Sequence, residues 1–590
     1  MTRRASGFKL TLMAALTAVG FWGCDTPSPQ TTDPGNTGPT AVPSNFQGAD
    51  ETAENLAQLA TPCTFVVDSG IVTIAMSAGE YALVGRSDGG TILVNGTACS
   101  TANATNATRI NINGSPDGGN ETVILDYLNG AFALGTTSTA GIAVDLKGGT
   151  DALKVRASGG ADTFYVGTVA PDAGTTGTYA LSVGIGGTPS GVKNVTFTNV
   201  ESLVISTGPG DDSLRNSFPD AGGSGTTPFG RSTTDAGPSL IFYGGDNNDT
   251  LNMGVTKASS PVTFYGGAGL DTIDLSARTA DLTITLGAAG HCEATETCTI
   301  QDDVEVVRAG SGNDTLVCAD VVDSGCVIYG GAGTDTITGS NGDDTLYGEA
   351  GNDVIIPGEG NDTVDCSTGT DTVSYADRHD DGGTVGVTIV LGDAGVATAG
   401  NGNSTLSETD SIAGCENVIG TAGADTIFGN ELDNGITGGA GADFLFGGAG
   451  NDTFYMGVSA LANGDDTVDG QAGEDTIDFS LRTADVTVVL NTSTPSANNG
   501  ELVTDGGVSE NVTLSNIENV LTGSGNDTVT GDSADNRIEC GGGNDTISSG
   551  AGDDTIAPGP GTNTITCGDG NDMVLEGAGE TNTKDSTCEL

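Results

Sequence analysis

Large apolar residues return along the C-terminal half of this 590-residue chain at a spacing of nine. From Gly330 the chain reads GGAGTDTIT GSNGDDTLY GEAGNDVII PGEGNDTVD CSTGTDTVS, which puts Ile337, Leu346, Ile355, Val364 and Val373 in equivalent places. A second array starts at Gly420 with GTAGADTIF GNELDNGIT GGAGADFLF GGAGNDTFY, and LANGDDTVD GQAGEDTID follows from Leu461. The last runs from Thr522 as TGSGNDTVT GDSADNRIE CGGGNDTIS SGAGDDTIA PGPGTNTIT CGDGNDMVL, with Val529, Ile538, Ile547, Ile556, Ile565 and Val574 in the apolar place. Isolated copies stand at GGDNNDTLN (244–252), GGAGLDTID (266–274) and AGSGNDTLV (309–317). One apolar residue per unit, set between Gly-rich turns, reads as a very short strand with a single inward side chain. Stacked units then build a thin aliphatic core.

Each place in the unit G-G-x-G-x-D-x-U-x, with U a large apolar residue, has its own physical reason. Glycine at the first, second and fourth places lets the backbone turn through positive φ and brings carbonyl oxygens together. Aspartate at the sixth adds a carboxylate, and calcium takes several hard oxygens at about 2.3–2.6 Å. The pattern resembles the hemolysin-type calcium-binding (RTX) repeat family, a nonapeptide β-helix signature. The resemblance implies an all-β chain: a parallel β-roll, or β-solenoid, built from tandem nonapeptide repeats with β-strand inserts, and calcium as its cofactor. In that family's β-roll one nonapeptide is half a turn, so stacked loops lie two units apart. Asp335 then faces Asp353, Asp344 faces Asp362, and Asp353 faces Asp371. The expected metal ligands are Asp249, Asp271, Asp314, Asp335, Asp344, Asp353, Asp362, Asp371, Asp425, Asp443, Asp452, Asp466, Asp475, Asp527, Asp545, Asp554 and Asp572. Asn434, Asn536 and Asn563 interrupt the carboxylate rows, and such sites should be weaker or empty.

A longer repeat surrounds the short one. DTIDLSARTADLTITL (271–286) matches DTIDFSLRTADVTVVL (475–490), and more loosely DTVSYADRHDDGGTVGVTIVL (371–391). Return segments DDVEVVRAGSGNDTL, CENVIGTAGADTI and IENVLTGSGNDTV lead into new nonapeptides, and VTFTNVESLVISTGPGDDSL looks like a degenerate copy. GSPDGGNETVILDY and LKGGTDALKV read as further decayed turns, although a separate β-sandwich over 61–243 is an equal alternative. The expected organisation is a signal peptide (1–23), a disordered tether (24–60), a degenerate β-rich region (61–243), a first repeat block (244–378), an insert with a second block (379–478), and an insert with a third (479–590).

Composition sharpens this picture. With 96 Gly, 78 Asp+Glu and 18 Lys+Arg the formal charge is -60, which disfavours helical folds and leaves no basic patch for nucleic acid. Disorder is the competing explanation for so much acid, but 36% hydrophobic residues argue against it for most of the chain. The start, MTRRASGFKLTLMAALTAVGFWGC, has basic residues before an apolar run too short to span a bilayer, as in a secretory signal peptide. Gly-Cys after that run resembles a bacterial lipobox, with Cys24 lipidated; plain cleavage after Gly20 is the alternative. Twelve cysteines fit an oxidising compartment, and spacing suggests Cys63–Cys99, Cys292–Cys298, Cys318–Cys326 and Cys366–Cys415. Cys567–Cys588 is more plausible than Cys540–Cys567, whose members fall on opposite sides of the roll.

Catalytic signatures are sparse. GRSDG (85–89) matches the nucleophile elbow, but a strand-like TILVNG follows where a helix is needed, so Ser87 reads as a turn residue. The chain has two His, His291 and His379, and no HExxH. The function expected is a non-enzymatic, exported calcium-binding repeat protein at the cell surface or outside it, structural or adhesive. Its partners would be calcium, a membrane through an acylated Cys24, and anionic glycans bridged by calcium, with no nucleic acid. The alternative is a secreted hydrolase with its active site in 61–243.

Overall fold

The computed structural model describes the chain from Ala57 to Cys588 with interruptions, the longer ones at 128–131, 133–140, 169–178, 185–194, 216–237, 255–260, 291–297, 320–324, 377–385, 393–396, 402–408, 458–463 and 491–501. The signal-like run, Cys24, most of the tether, His291, His379 and Cys292 lie outside the described residues. Among the described residues the structure is strand and turn without helix.

Three-residue strands dominate. In Thr336–Thr338, Val354–Ile356 and Thr555–Ala557 the central side chain is buried and its neighbours are half-buried, as one inward residue per half turn requires. Pairing is parallel, with Ile337 beside Ile355 and Ile355 beside Val373 on one wall, and Leu346 beside Val364 on the other. The chain is thus an all-β parallel β-roll. Its inward side chains, Ile337, Leu346, Ile355 and Ile556 among them, are fully buried and belong to one continuous core running from Val72 to Cys567. Outward side chains stack in register, so the rings of Tyr329 and Tyr347 lie 4.7 Å apart and those of Phe428 and Phe446 lie 4.8 Å apart, the spacing of adjacent strands.

The same coil continues through 61–243. Thr122–Asp126, Ala152–Arg156, Ser202–Pro209, Ser239–Asp246 and Val262–Ala268 pair in parallel, one after another, with no break where the first nonapeptide begins. Antiparallel hairpins occur where chain is inserted: Glu80–Arg86 with Thr91–Val94 near the N-terminal end, and Thr163–Thr168 with Tyr179–Gly184 further on. Ser87 sits in the first of these hairpins, where its Oγ accepts the Thr91 N–H at 3.2 Å.

The long repeat contributes an anchor. Arg278 and Arg482, from LSARTAD and FSLRTAD, are almost completely buried. Arg278 Nε donates to the Gly254 carbonyl at 2.7 Å, and Arg482 Nη2 donates to the Met456 carbonyl at 2.7 Å, so each ties an insert back to the turn below. Disulfides join Cys63–Cys99, Cys318–Cys326, Cys366–Cys415 and Cys567–Cys588. Cys298 is also disulfide-bonded, and Cys540 is a buried free thiol.

Candidate metal centre

The turns of the roll are compressed to a degree that dictates their composition. A Cβ on Gly330 would lie 2.7 Å from Asp335 Oδ2 and 2.8 Å from the Gly348 carbonyl oxygen. Gly331, at φ +102, packs so closely on the turn beneath that a Cβ would meet the Gly310 carbonyl at 2.0 Å. First-place glycine therefore keeps open the space between a carboxylate and the carbonyl of the next stacked turn.

The aspartates form ladders along the two edges of the roll. Asp353 Oδ1 accepts the Asp335 N–H at 2.8 Å, Asp371 Oδ1 accepts that of Asp353 at 2.7 Å, and Asp362 Oδ1 accepts that of Asp344 at 2.8 Å. The step of 18 residues recurs from Asp425 to Asp443, from Asp527 to Asp545 and from Asp554 to Asp572. In the same sense the Asp314 N–H donates to Asp335 Oδ1 across 21 residues, and the Asp249 N–H to Asp271 Oδ1 across 22. Asp443 and Asp452 reach Asp466 and Asp475 across 23.

One carboxylate oxygen is thereby used and the other is stranded. The Oδ2 atoms of Asp249, Asp271, Asp335, Asp353, Asp371, Asp452, Asp475, Asp527, Asp545, Asp554 and Asp572 are buried with no hydrogen-bond partner. Burying an unpaired carboxylate oxygen is costly, so these atoms call for a proton or a cation. Burial pushes Asp335 up to about 7, with Asp314 and Asp353 adding to it. Asp249 reaches about 8 for the same reason beside Asp212 and Asp271, and Asp475 about 7 beside Asp452 and Glu518. Rows of orphaned oxygens facing carbonyls, with no soft ligand among them, fit calcium. The grouping of Cys318, Cys326 and Asp344 does not compete, because its two sulfurs form a disulfide.

Several turns are closed without a metal. At Asp344 the Ser340 N–H and hydroxyl donate to Oδ2 at 2.6 and 3.1 Å, and at Asp425 the Thr421 N–H and hydroxyl do so at 2.6 and 3.2 Å. Asp314 Oδ2 accepts the Gly310 N–H at 3.3 Å. Asn434 and Asn536 place an amide where the second oxygen would be, and it donates to the carbonyls of Glu416 and Glu518 at 2.8 and 3.0 Å. Asn563 Nδ2 donates to the Gly559 carbonyl at 3.0 Å. Seventeen aspartates thus share one position in the repeat but not one chemistry.

The ladders also contain residues outside the nonapeptide pattern. Glu305, Glu416 and Glu518 accept the N–H of Asp271, Asp371 and Asp475, each at 2.9 Å through Oε2, and Glu201 accepts that of Asp151 at 2.7 Å. Their signal was the glutamate common to the segments VESL, VEVV, CENV and IENV. Asp162 donates to Asp212 across 50 residues and Asp212 to Asp249 across 37, which joins 61–243 to the same rows. Asp410 closes the row at Asp362, accepting its N–H at 3.0 Å, while the Tyr375 hydroxyl donates to the other Asp410 oxygen at 2.9 Å.

Residues 329–364, 419–454, 462–480, 521–556 and 541–574 match the family model for RTX calcium-binding nonapeptide repeats, a model of four copies. No curated protein matches the chain.

Proposed function

We propose that this chain is an exported, non-enzymatic β-roll that folds on calcium and serves a structural or adhesive role at or beyond the cell surface. The observation that carries the reading is the set of buried Asp Oδ2 atoms, Asp335, Asp353 and Asp371 foremost, that have no donor. Two carboxylates about 5 Å apart repel by roughly 3 kcal/mol at an effective dielectric of 20, and each stacked pair repeats that conflict. Calcium cancels it, and because the site exists only in the wound coil, binding free energy is folding free energy. The apolar run before Cys24 supports export, and acylation of Cys24 would hold the roll off a membrane by its Pro- and Thr-rich tether. An acidic surface that collects calcium could then bridge to anionic glycans.

The test is far-UV circular dichroism of the mature protein in excess chelator and in millimolar calcium, run oxidised and reduced, with bound calcium counted by equilibrium dialysis. Strand content that rises with calcium, together with several bound ions per chain, supports the proposal. The same spectrum in both buffers and no bound calcium would refute it. Mass spectrometry of the mature N-terminus separates an acylated Cys24 from an unmodified end.

A further inference from the structure

One step of the ladder carries sulfur where its neighbours carry oxygen. Val306, Val327, Thr345 and Thr363 follow one another along one wall, and the residues just before them are Glu305, Cys326, Asp344 and Asp362. Cys326 thus holds a ligand place, and its N–H donates to Asp344 Oδ1 at 2.5 Å as a ladder residue does. Cys318 arrives from the end of Thr315–Cys318 on the other wall and is bridged to Cys326, their Cα atoms 6.2 Å apart. One ligand atom from each of Cys318, Cys326 and Asp344 lies within 4.8 Å of the other two, and all three residues are buried. Among the described residues no other bridge has a carboxylate so placed.

Lone pairs decide what this cluster can hold. Asp344 accepts the N–H groups of Cys326 and Ser340 at 2.5 and 2.6 Å, and the Ser340 hydroxyl, which lies 3.3 Å from Oδ1 and 3.1 Å from Oδ2. A carboxylate has about four lone-pair sites, so three donors leave one. Calcium takes about six to eight oxygens and is not served by one lone pair and two sulfurs. A borderline-soft cation with four ligands is. Zinc binds thiolate at about 2.3 Å and carboxylate oxygen at about 2.0–2.2 Å, which sets two sulfurs on a tetrahedral ion about 3.8 Å apart. Cysteines whose Cα atoms are 6.2 Å apart reach that spacing by rotation about their side-chain bonds.

We infer that the reduced chain holds a thiophilic divalent cation, zinc by preference, between Cys318, Cys326 and Asp344, and that closing the Cys318–Cys326 bridge expels it. A dithiol reductant gives two electrons and two protons to the bridge and leaves as its own disulfide. The cation then binds both sulfurs, their two protons pass to solvent, and water fills the fourth position. On oxidation the two thiolates give two electrons to a disulfide oxidant, which takes two protons from solvent; the S–S bond re-forms and the cation departs. The inference stands apart from the calcium reading. On the proposed route of export the chain passes from a compartment that keeps thiols reduced to one that oxidises them. Metal and then bond would clasp the same loop in turn.

The experiment takes the mature full-length chain in calcium buffer at neutral pH, oxidised or reduced with a phosphine, with and without added zinc. Alkylation of each cysteine by iodoacetamide is followed by peptide mass spectrometry, and bound zinc is counted by equilibrium dialysis. In the reduced chain zinc should slow alkylation of Cys318 and Cys326 severalfold and leave Cys366 and Cys415 unchanged, and the reduced chain should bind about one zinc more than the oxidised one. Asp344→Asn keeps an acceptor for the Cys326 N–H but removes the ligand charge, so half-protection should need about tenfold more zinc or beyond. Alkylation of Cys318 and Cys326 that ignores zinc, or equal protection of every cysteine, overturns the inference. An Asp344→Asn chain that responds to zinc as wild type does overturns it too. If Asp344→Asn fails to fold, the comparison of the two bridges within the wild-type chain decides alone.

Discussion

Acid should hold the metal-free chain together better than neutral buffer does, the reverse of ordinary acid denaturation. The perturbation is a pH series in metal-depleted buffer. In the folded chain burial is the leading cause that raises the ladder aspartates, to about 8 at Asp249, about 7 at Asp335 and Asp475, and about 6 at Asp371, from an ordinary value of 3.8. A raised carboxylate binds its proton in the folded state at a pH where the unfolded chain has lost it. Stability from that proton is complete below the unfolded value and is lost as pH rises through the folded one. Each such group changes stability by about 1.4 kcal/mol per pH unit inside that window. Four groups give on the order of 5 kcal/mol per pH unit, and sharing of protons between stacked neighbours reduces this to a few. A domain is worth roughly 5–15 kcal/mol in all, so the loss between about pH 5 and pH 8 is large. Urea midpoints followed by circular dichroism should fall across that range without metal, and calcium should restore them at the alkaline end while adding little near pH 5. A metal-free midpoint that rises from pH 5 to pH 8 would falsify the assignment of these oxygens.

Three further outcomes follow from individual turns. Ser340→Gly removes the hydroxyl on Asp344 Oδ2 and permits the positive φ that Gly331 and Gly358 adopt, so the variant should bind about one more calcium, and an unchanged dialysis count would contradict this. Asp353→Asn keeps the acceptor for the Asp335 N–H but removes a charge, so it should bind less calcium yet be more stable in chelator at neutral pH, by roughly 1–3 kcal/mol. A variant less stable than wild type in chelator would count against repulsion as the cause. Ile355→Ala empties a fully buried place in the core and should cost about 2–5 kcal/mol in saturating calcium, read from the urea midpoint.

The arrays were legible because the nonapeptide states the strand and the ligand together: Ile337 is inward and Asp335 is on the ladder for the same reason of phase. Glu305, Glu416 and Glu518 escaped a nine-residue frame because they enter the ladders from return segments, after inserts of variable length. In 61–243 the residues alone do not separate a coil from a sandwich, because ladder steps there reach 50 and 37 residues, and a period diluted by hairpins ceases to look like one. The difference between Asp344 and Asp353 was hidden at a neighbouring position. Ser340 turns its N–H onto the carboxylate, whereas Glu349 takes a φ of +71 and leaves Asp353 Oδ2 bare.

The Cys366–Cys415 bridge spans 49 residues of chain and joins the last unit of the first array to the residue before Glu416. A closed loop of that size removes about 4 kcal/mol of chain entropy from the unfolded ensemble. Its larger effect is on alignment. Every turn of a repeat resembles every other, so a coil that has lost its metal could rewind one unit out of step, with carboxylates set against the wrong carbonyls. The bridge acts as a bookmark: it preserves across the interruption between the first two arrays which turn follows which, and returning calcium finds the two arrays still in phase.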